Sequence, residues 1–223
     1  MLNVKSISKQ YHKHAILNNI SFQIKPGEIV GLIGENGAGK STLLKIIATL
    51  EQASSGDVEL FEQGYAKNRK ALRKYIGYVP QDIAIWEELT VAENMLFFEK
   101  LSFQSKSSEE LKQLCLDMNL QKWNEPVKTL SGGMKRKLNL AITLIHEPSI
   151  LLLDEPTVGI DLKSKKEIGS YLFKQAKEKN RMIIYTSHDM DEITELCDRA
   201  ICIGEDTFYP EILKNTGKEI ISL

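Results

Sequence analysis

Apolar and polar positions alternate at the start of the chain. Residues 2–7 read Leu-Asn-Val-Lys-Ser-Ile and residues 20–24 read Ile-Ser-Phe-Gln-Ile, a pattern that predicts strands with one buried face. Pro26-Gly27 marks a turn. Residues 28–33, Glu-Ile-Val-Gly-Leu-Ile, are an almost unbroken apolar run, as expected of a short buried strand. A glycine-rich stretch follows at 34–39, and residues 40–50 then place Leu43, Leu44, Ile46, Ile47 and Leu50 at helical spacing. The order is strand, glycine loop, helix.

Residues 57–61 and 76–79 are further strand candidates. From about 90 to 146 the pattern turns helical, with helices expected at 91–101, 108–118 and 133–145. A second buried strand, residues 150–153, follows Pro148; 163–179 form an amphipathic helix, 182–185 another central strand and 191–197 a short helix. Alternating strands and helices predict an α/β fold with a mainly parallel sheet. The helical stretch at 82–146 reads as a lobe inserted into one domain, whose core comprises 1–81 and 147–223. Neither internal repeats nor low-complexity segments interrupt this pattern.

The glycine stretch carries the first chemistry. Gly34-Glu35-Asn36-Gly37-Ala38-Gly39-Lys40-Ser41-Thr42 fits a phosphate-binding loop, and it has the strand before and the helix after that such a loop needs. Its glycines let backbone N–H groups converge on phosphate oxygens. Lys40 supplies a positive charge for the β/γ-phosphates and the Ser41 hydroxyl can ligate Mg²⁺, while the helix N-terminus adds partial positive charge. The run Ile150-Leu151-Leu152-Leu153 ends in Asp154-Glu155. Parallel strands present their carboxyl ends to the ligand, so both carboxylates should face the same crevice as Lys40. Asp154 suits the metal side and Glu155 suits a general base for the attacking water. A nucleoside triphosphate and Mg²⁺ are the ligands this predicts.

Composition narrows the setting without changing the chemistry. With 42% hydrophobic and 26% charged residues and a net charge of −1, the chain is ordinary for a soluble domain and has no global basic field that would draw nucleic acid. Cys115, Cys197 and Cys202 have neither disulfide nor zinc spacing and are expected to be inert buried thiols. The N-terminus lacks the apolar core of a signal peptide, and no apolar run approaches the ~20 residues of a spanning helix. The chain is thus expected to be soluble and intracellular, with any membrane role exercised through a partner.

Along nearly its whole length the sequence resembles the ATP-binding subunits of ABC transporters. Leu130-Ser131-Gly132-Gly133-Met134 is similar to the family signature, and a Ser and two glycines at a helix start also make a second anion-binding corner. The resemblance implies a P-loop NTPase core of RecA type with an N-terminal antiparallel β subdomain. It implies that Tyr11 stacks on adenine and that Gln81 touches Mg²⁺ and water where the helical lobe begins. By the same likeness Asp161 communicates across a dimer, and His188, in Thr186-Ser187-His188-Asp189, senses the γ-phosphate. Such a chain works as an ATP sandwich with a second ATPase chain, identical or not, whose Ser131–Met134 equivalent completes each site. Membrane-spanning permease subunits would hold it peripherally on the cytoplasmic face. Ile83-Ala84-Ile85-Trp86 could dock them or pack internally.

The sequence also departs from the commoner family pattern. Met134 stands where Gln is usual, and Lys135-Arg136-Lys137 follows. With Pro156-Thr157-Val158-Gly159-Ile160-Asp161 this resembles ATPases of drug, antibiotic or peptide exporters, although the basic triplet on a helix face could also be solvated surface. With only a short stretch after His188, the regulatory domain of many importer ATPases is not expected here, which favours export. Alternatives are an importer ATPase, or a soluble ABC-type ATPase that remodels a macromolecule. A nucleotide kinase would share the loop but would not account for Ser131-Gly132-Gly133 or His188.

Overall fold

The computed structural model describes residues 1–204 and 206–223. Two strands, β1 (Leu2–Tyr11) and β2 (His14–Ile24), lead into β3 (Ile29–Ile33) and helix α1 (Lys40–Ile47). Then come β4 (Ser55–Leu60), β5 (Gln63–Gly64), α2 (Tyr65–Leu72) and β6 (Ile76–Val79). Helices α3 (Val91–Glu99), α4 (Ser108–Leu116) and α5 (Gly132–Thr143) occupy the middle of the chain. The remainder is β7 (Ile150–Leu153), α6 (Leu162–Lys179), β8 (Met182–Thr186), α7 (Met190–Leu196), β9 (Arg199–Cys202), α8 (Phe208–Leu213) and β10 (Glu219–Ser222).

The strands form two sheets. One is antiparallel, in the order β2-β1-β4-β5; the other has six strands in the order β10-β9-β3-β8-β7-β6, all paired in parallel. Because side chains alternate across a strand, the parallel sheet feeds two cores. Val30, Leu32, Ile150, Leu152, Met182 and Ile184 face the antiparallel sheet and α1. Ile29, Ile33, Leu151, Leu153, Ile183 and Tyr185 face the other way, into a core shared with α3, α4, α5 and α6. Burial on both faces explains why these strands read as unbroken apolar runs.

The helical stretch is locally well specified. Thr90 and Ser107 cap α3 and α4, each in a reciprocal capping box with Glu93 or Glu110, which satisfies backbone donors that a helix start leaves unpaired. Buried Asn94 accepts from the Trp86 N–H and donates to the Trp86 carbonyl, at 2.9 Å each. It thereby fixes the loop between Gln81 and α3.

Elements missing from the sequence reading are the weakly patterned ones. In α2 only Tyr65 and Leu72 are buried; the helix is held instead by Arg69, which donates to the carbonyls of Thr49 and Glu51. Strand β2 starts at His14, earlier than alternation suggests, because bulges shift its register against β1 and blur the period of two. Helix α1 stops at Ile47, and Thr49 takes a left-handed φ of 62°. The short β9, β10 and α8 carry too few residues for a periodic signal. No helix among the described residues is long and apolar enough to cross a membrane.

Candidate functional site

Four parallel strands end at one crevice. Gly34 follows β3, Pro80-Gln81 follow β6, Asp154-Glu155 follow β7, and Ser187-His188 follow β8. The carboxyl ends of neighbouring parallel strands point the same way, so residues far apart in sequence converge. They line a pocket of about 370 Å³ formed by Asn36, Gly37, Gly39, Lys40, Ser41, Thr42, Gln81, Glu155 and His188.

The loop is shaped to leave backbone facing that pocket. Gly39, at φ 96°, caps α1, and a Cβ there would come within 2.6 Å of Leu17 Cδ2 and 3.0 Å of the Ile16 carbonyl oxygen. Only glycine fits that corner. Buried Lys40 extends back along the loop, its Nζ donating to the carbonyls of Gly34 at 2.8 Å and Glu35 at 3.0 Å. Burial pulls its pKa below the usual lysine value, against the opposing charges of Glu155, Asp154 and Glu35. The ammonium is thus held at the loop before any phosphate arrives. Ala38 belongs to the loop but does not line the pocket.

Asp154 lies buried behind the loop. Its Oδ1 accepts from Ser41 Oγ at 3.1 Å and from Thr186 Oγ1 at 3.2 Å, and its Oδ2 faces the Tyr78 hydroxyl at 3.4 Å. Burial, then the charge of Asp154, keeps that phenol protonated well above its ordinary range. Glu155 reaches into the pocket, with Oε1 3.0 Å from His188 Nε2 and Oε2 accepting from Gln81 Nε2 at 3.1 Å. The carboxylate is therefore flanked by residues of two loops.

Among the described residues no group of three or more His, Cys, Asp or Glu forms a metal cage. The adjacent Ser41 hydroxyl and Asp154 carboxylate instead suit Mg²⁺, which takes one or two protein oxygens and completes its shell with phosphates and water.

The other residues named from sequence lie outside this pocket. Tyr11 is partly exposed; its hydroxyl bonds Glu51, and Lys9 Nζ sits 4.6 Å from its ring centroid. Ser131 caps α5, its Oγ accepting from the Met134 N–H at 3.3 Å. Gly132 is open, with nothing nearer than 3.8 Å to a Cβ placed there, whereas a Cβ on Gly133 would lie 2.2 Å from Ser164 Oγ. Gly133 thus permits close packing of α5 on α6. Asp161 caps α6, accepting from the Ser164 N–H at 2.9 Å and the Ser164 hydroxyl at 2.7 Å.

Solvated surface was one expectation for the basic triplet, and the structure corrects it. Arg136 and Lys137 are buried. Arg136 donates to the carbonyls of Gln81 and Pro80, and Lys137 pairs with Glu167; Lys135 bridges to Glu87 at 2.7 Å. Arg136 therefore ties the helix behind the signature to the loop carrying Gln81. Of the apolar 83–86 segment, Trp86 is 57% exposed while Ile85 packs against the core. All three cysteines are buried and pushed up by desolvation, Cys115 and Cys197 to about 12 and Cys202 to about 11, so none is a ready thiolate.

Sequence reasoning missed Glu192. Its Oε2 accepts from Thr157 Oγ1 at 2.7 Å and from the Tyr185 and Ser187 hydroxyls at 2.8 Å each; its Oε1 lies 2.9 Å from Lys165 Nζ. Burial opposes its charge, yet these donors hold its pKa below the usual glutamate value. One carboxylate so joins the loop after Glu155, the strand before His188 and helix α6. A single acid in a short helix gives no sign of this beforehand.

Comparison with known proteins decides the family. A family profile described as ABC transporter matches residues 17–158, more than half of the chain. The chain belongs to the ABC transporter family. It is an ATPase cassette of that family, similar to the linearmycin resistance ATP-binding protein of Bacillus subtilis, 39% identical over 89% of this chain and 65% of that one. The Nod factor export ATP-binding protein I of Rhizobium etli is 35% identical over 92% of this chain and 65% of its own length. A sulfate/thiosulfate import ATP-binding protein of Nitrosomonas europaea is 32% identical over 91% and 58%. The cassette thus spans less than two thirds of each of these relatives. Among solved structures, a dimeric ATP-binding cassette in a post-hydrolysis state with ADP and Pi superposes with a TM-score of 0.80 at 28% identity, covering 91% of this chain and 94% of that one.

Proposed function

We propose that the cassette hydrolyses ATP at the Lys40–Glu155 pocket to drive export, paired with a second ATPase chain and docked on membrane-spanning subunits. The observation that carries this reading is the division of the site. Lys40, Ser41, Gln81, Glu155 and His188 line one pocket, while Ser131-Gly132-Gly133 stand outside it. The signature corner would then serve the pocket of a partner chain.

Within one chain the roles follow from position. First-turn N–H groups of α1 and Lys40 would bind the phosphates. Ser41, Asp154 and Gln81 would hold Mg²⁺, which when bound neutralises charge on the phosphate oxygens. Glu155 would accept a proton from the attacking water while His188 and Gln81 keep its carboxylate aimed. Tyr11 would meet the adenine at the rim, and Asp161, beside Gly133, would relay between the two sites. Loss of the γ-phosphate removes the ligand holding the chains together, which turns hydrolysis into opening.

Export is supported by the linearmycin resistance and Nod factor relatives; import is the second reading, favoured by the sulfate/thiosulfate relative. The exposed Trp86 would contribute to the docking face. Such a cassette would sit peripherally on the cytoplasmic side. The test is to purify the tagged cassette from membranes with its bound partner and reconstitute both in vesicles with the cassette outward. We expect a co-purifying protein of several apolar spans and ATP-driven accumulation of cargo inside the vesicles. Recovery of the cassette alone would count against the membrane role, and ATP-driven loss of preloaded cargo would favour import.

A further inference from the structure

We propose that Thr186 is a positioning residue for Glu155, fixing through its hydroxyl the direction in which the Glu155 carboxylate enters the pocket. This rests on Glu155 being the base assigned above. Glu155 lies at φ 48°, in the left-handed region that a residue with a long side chain keeps only when its surroundings hold it there. The preceding N–H, that of Asp154, still makes a backbone bond to the Val79 carbonyl at 2.9 Å. At Glu155 the chain leaves this pattern, and its N–H donates to a side chain, Thr186 Oγ1, at 2.8 Å.

Thr186 is suited to this by place and by chemistry. It ends β8, the neighbour of β7 in the sheet, and is fully buried. A hydroxyl has one proton and two lone pairs. Its oxygen accepts from Glu155, and its proton has the Leu153 carbonyl at 3.3 Å and Asp154 Oδ1 at 3.2 Å within reach. One oxygen therefore touches the backbone of the base and the carboxylate beside it. Two residues further on, His188 Nε2 lies 3.0 Å from Oε1 of the same Glu155. The end of β8 thus holds Glu155 by its backbone and places His188 beside its carboxylate. Freeing the N–H would let φ relax and swing the carboxylate away from His188 and Gln81.

Valine matches threonine in shape but lacks the oxygen. In Thr186→Val, kcat should fall about ten-fold or more, because small misplacements of a reacting group have effects of that order or larger. KM for ATP and equilibrium binding of a fluorescent ATP analogue should stay within about two-fold, as expected when an interaction outside ground-state binding is lost. Thr186→Ser, which keeps the oxygen, should recover kcat to within about three-fold of the parent. Parental kcat in Thr186→Val, or a Thr186→Ser variant as slow as it, overturns the proposal. Should Thr186→Val not fold, Thr186→Ala and Thr186→Ser give the same comparison: loss only in Ala supports the role, and equal behaviour of the two overturns it. Glu155→Gln measured alongside separates the two assignments. If it is inactive while Thr186→Val turns over normally, only the positioning role fails; if it hydrolyses normally, the base assignment fails with it.

Discussion

Replacing Glu155 by glutamine lowers steady-state ATP hydrolysis by about 10²–10⁴-fold, the range in which a general base contributes, and leaves ATP binding intact. The amide keeps the shape of the side chain and can still meet Gln81 and His188, which flank the carboxylate at 3.1 and 3.0 Å. It cannot take up the proton of the attacking water. The loss should therefore appear in kcat, with little change in KM, since ground-state contacts are preserved. Steady-state turnover and binding of a fluorescent ATP analogue check it; parental kcat would remove Glu155 from the mechanism.

Lys40→Ala acts one step earlier. The ammonium is buried and held against the Gly34 and Glu35 carbonyls, so it meets the phosphates already desolvated and aimed. Hydrogen bonds to charged groups contribute about 1.5–3 kcal/mol each, and ATP binding should weaken by roughly 10²-fold, with hydrolysis lost at ordinary ATP concentrations. Isothermal titration with ATP reads the first effect. Unaltered turnover in this variant would contradict the placement of the triphosphate. The two substitutions divide cleanly, Lys40 on binding and Glu155 on chemistry.

How much of this was legible in the sequence depends on the range of each interaction. The loop around Lys40 could be read directly because its strand, glycines and helix are contiguous. Asp154 and Glu155 were legible because two acids ending a buried apolar run stand out against it. Arg136 and Lys137 were not, because their partners, Gln81 and Glu167, lie 55 and 30 residues away; without those partners a basic triplet resembles solvated surface. Gly133 illustrates a mixed case. Its sequence context suggested an anion corner, but the steric reason for glycine there is Ser164, a residue of another helix. Thr186 gave no signal, since a threonine ending a strand is ordinary until its neighbour's backbone is seen to need its oxygen.

The pairing of two chains is where the account is most exposed. The pocket gathers Lys40, Gln81, Glu155 and His188 from four strand ends, yet Ser131-Gly132-Gly133 remain outside it; beyond capping and packing α5, they meet a phosphate only if a second chain brings its own pocket to them. The direct measurement is size-exclusion chromatography with light scattering on Glu155→Gln, which binds ATP without consuming it. With ATP and Mg²⁺ the variant should elute as a dimer and return to monomer when nucleotide is removed. A species that stays monomeric at saturating ATP would contradict the shared site.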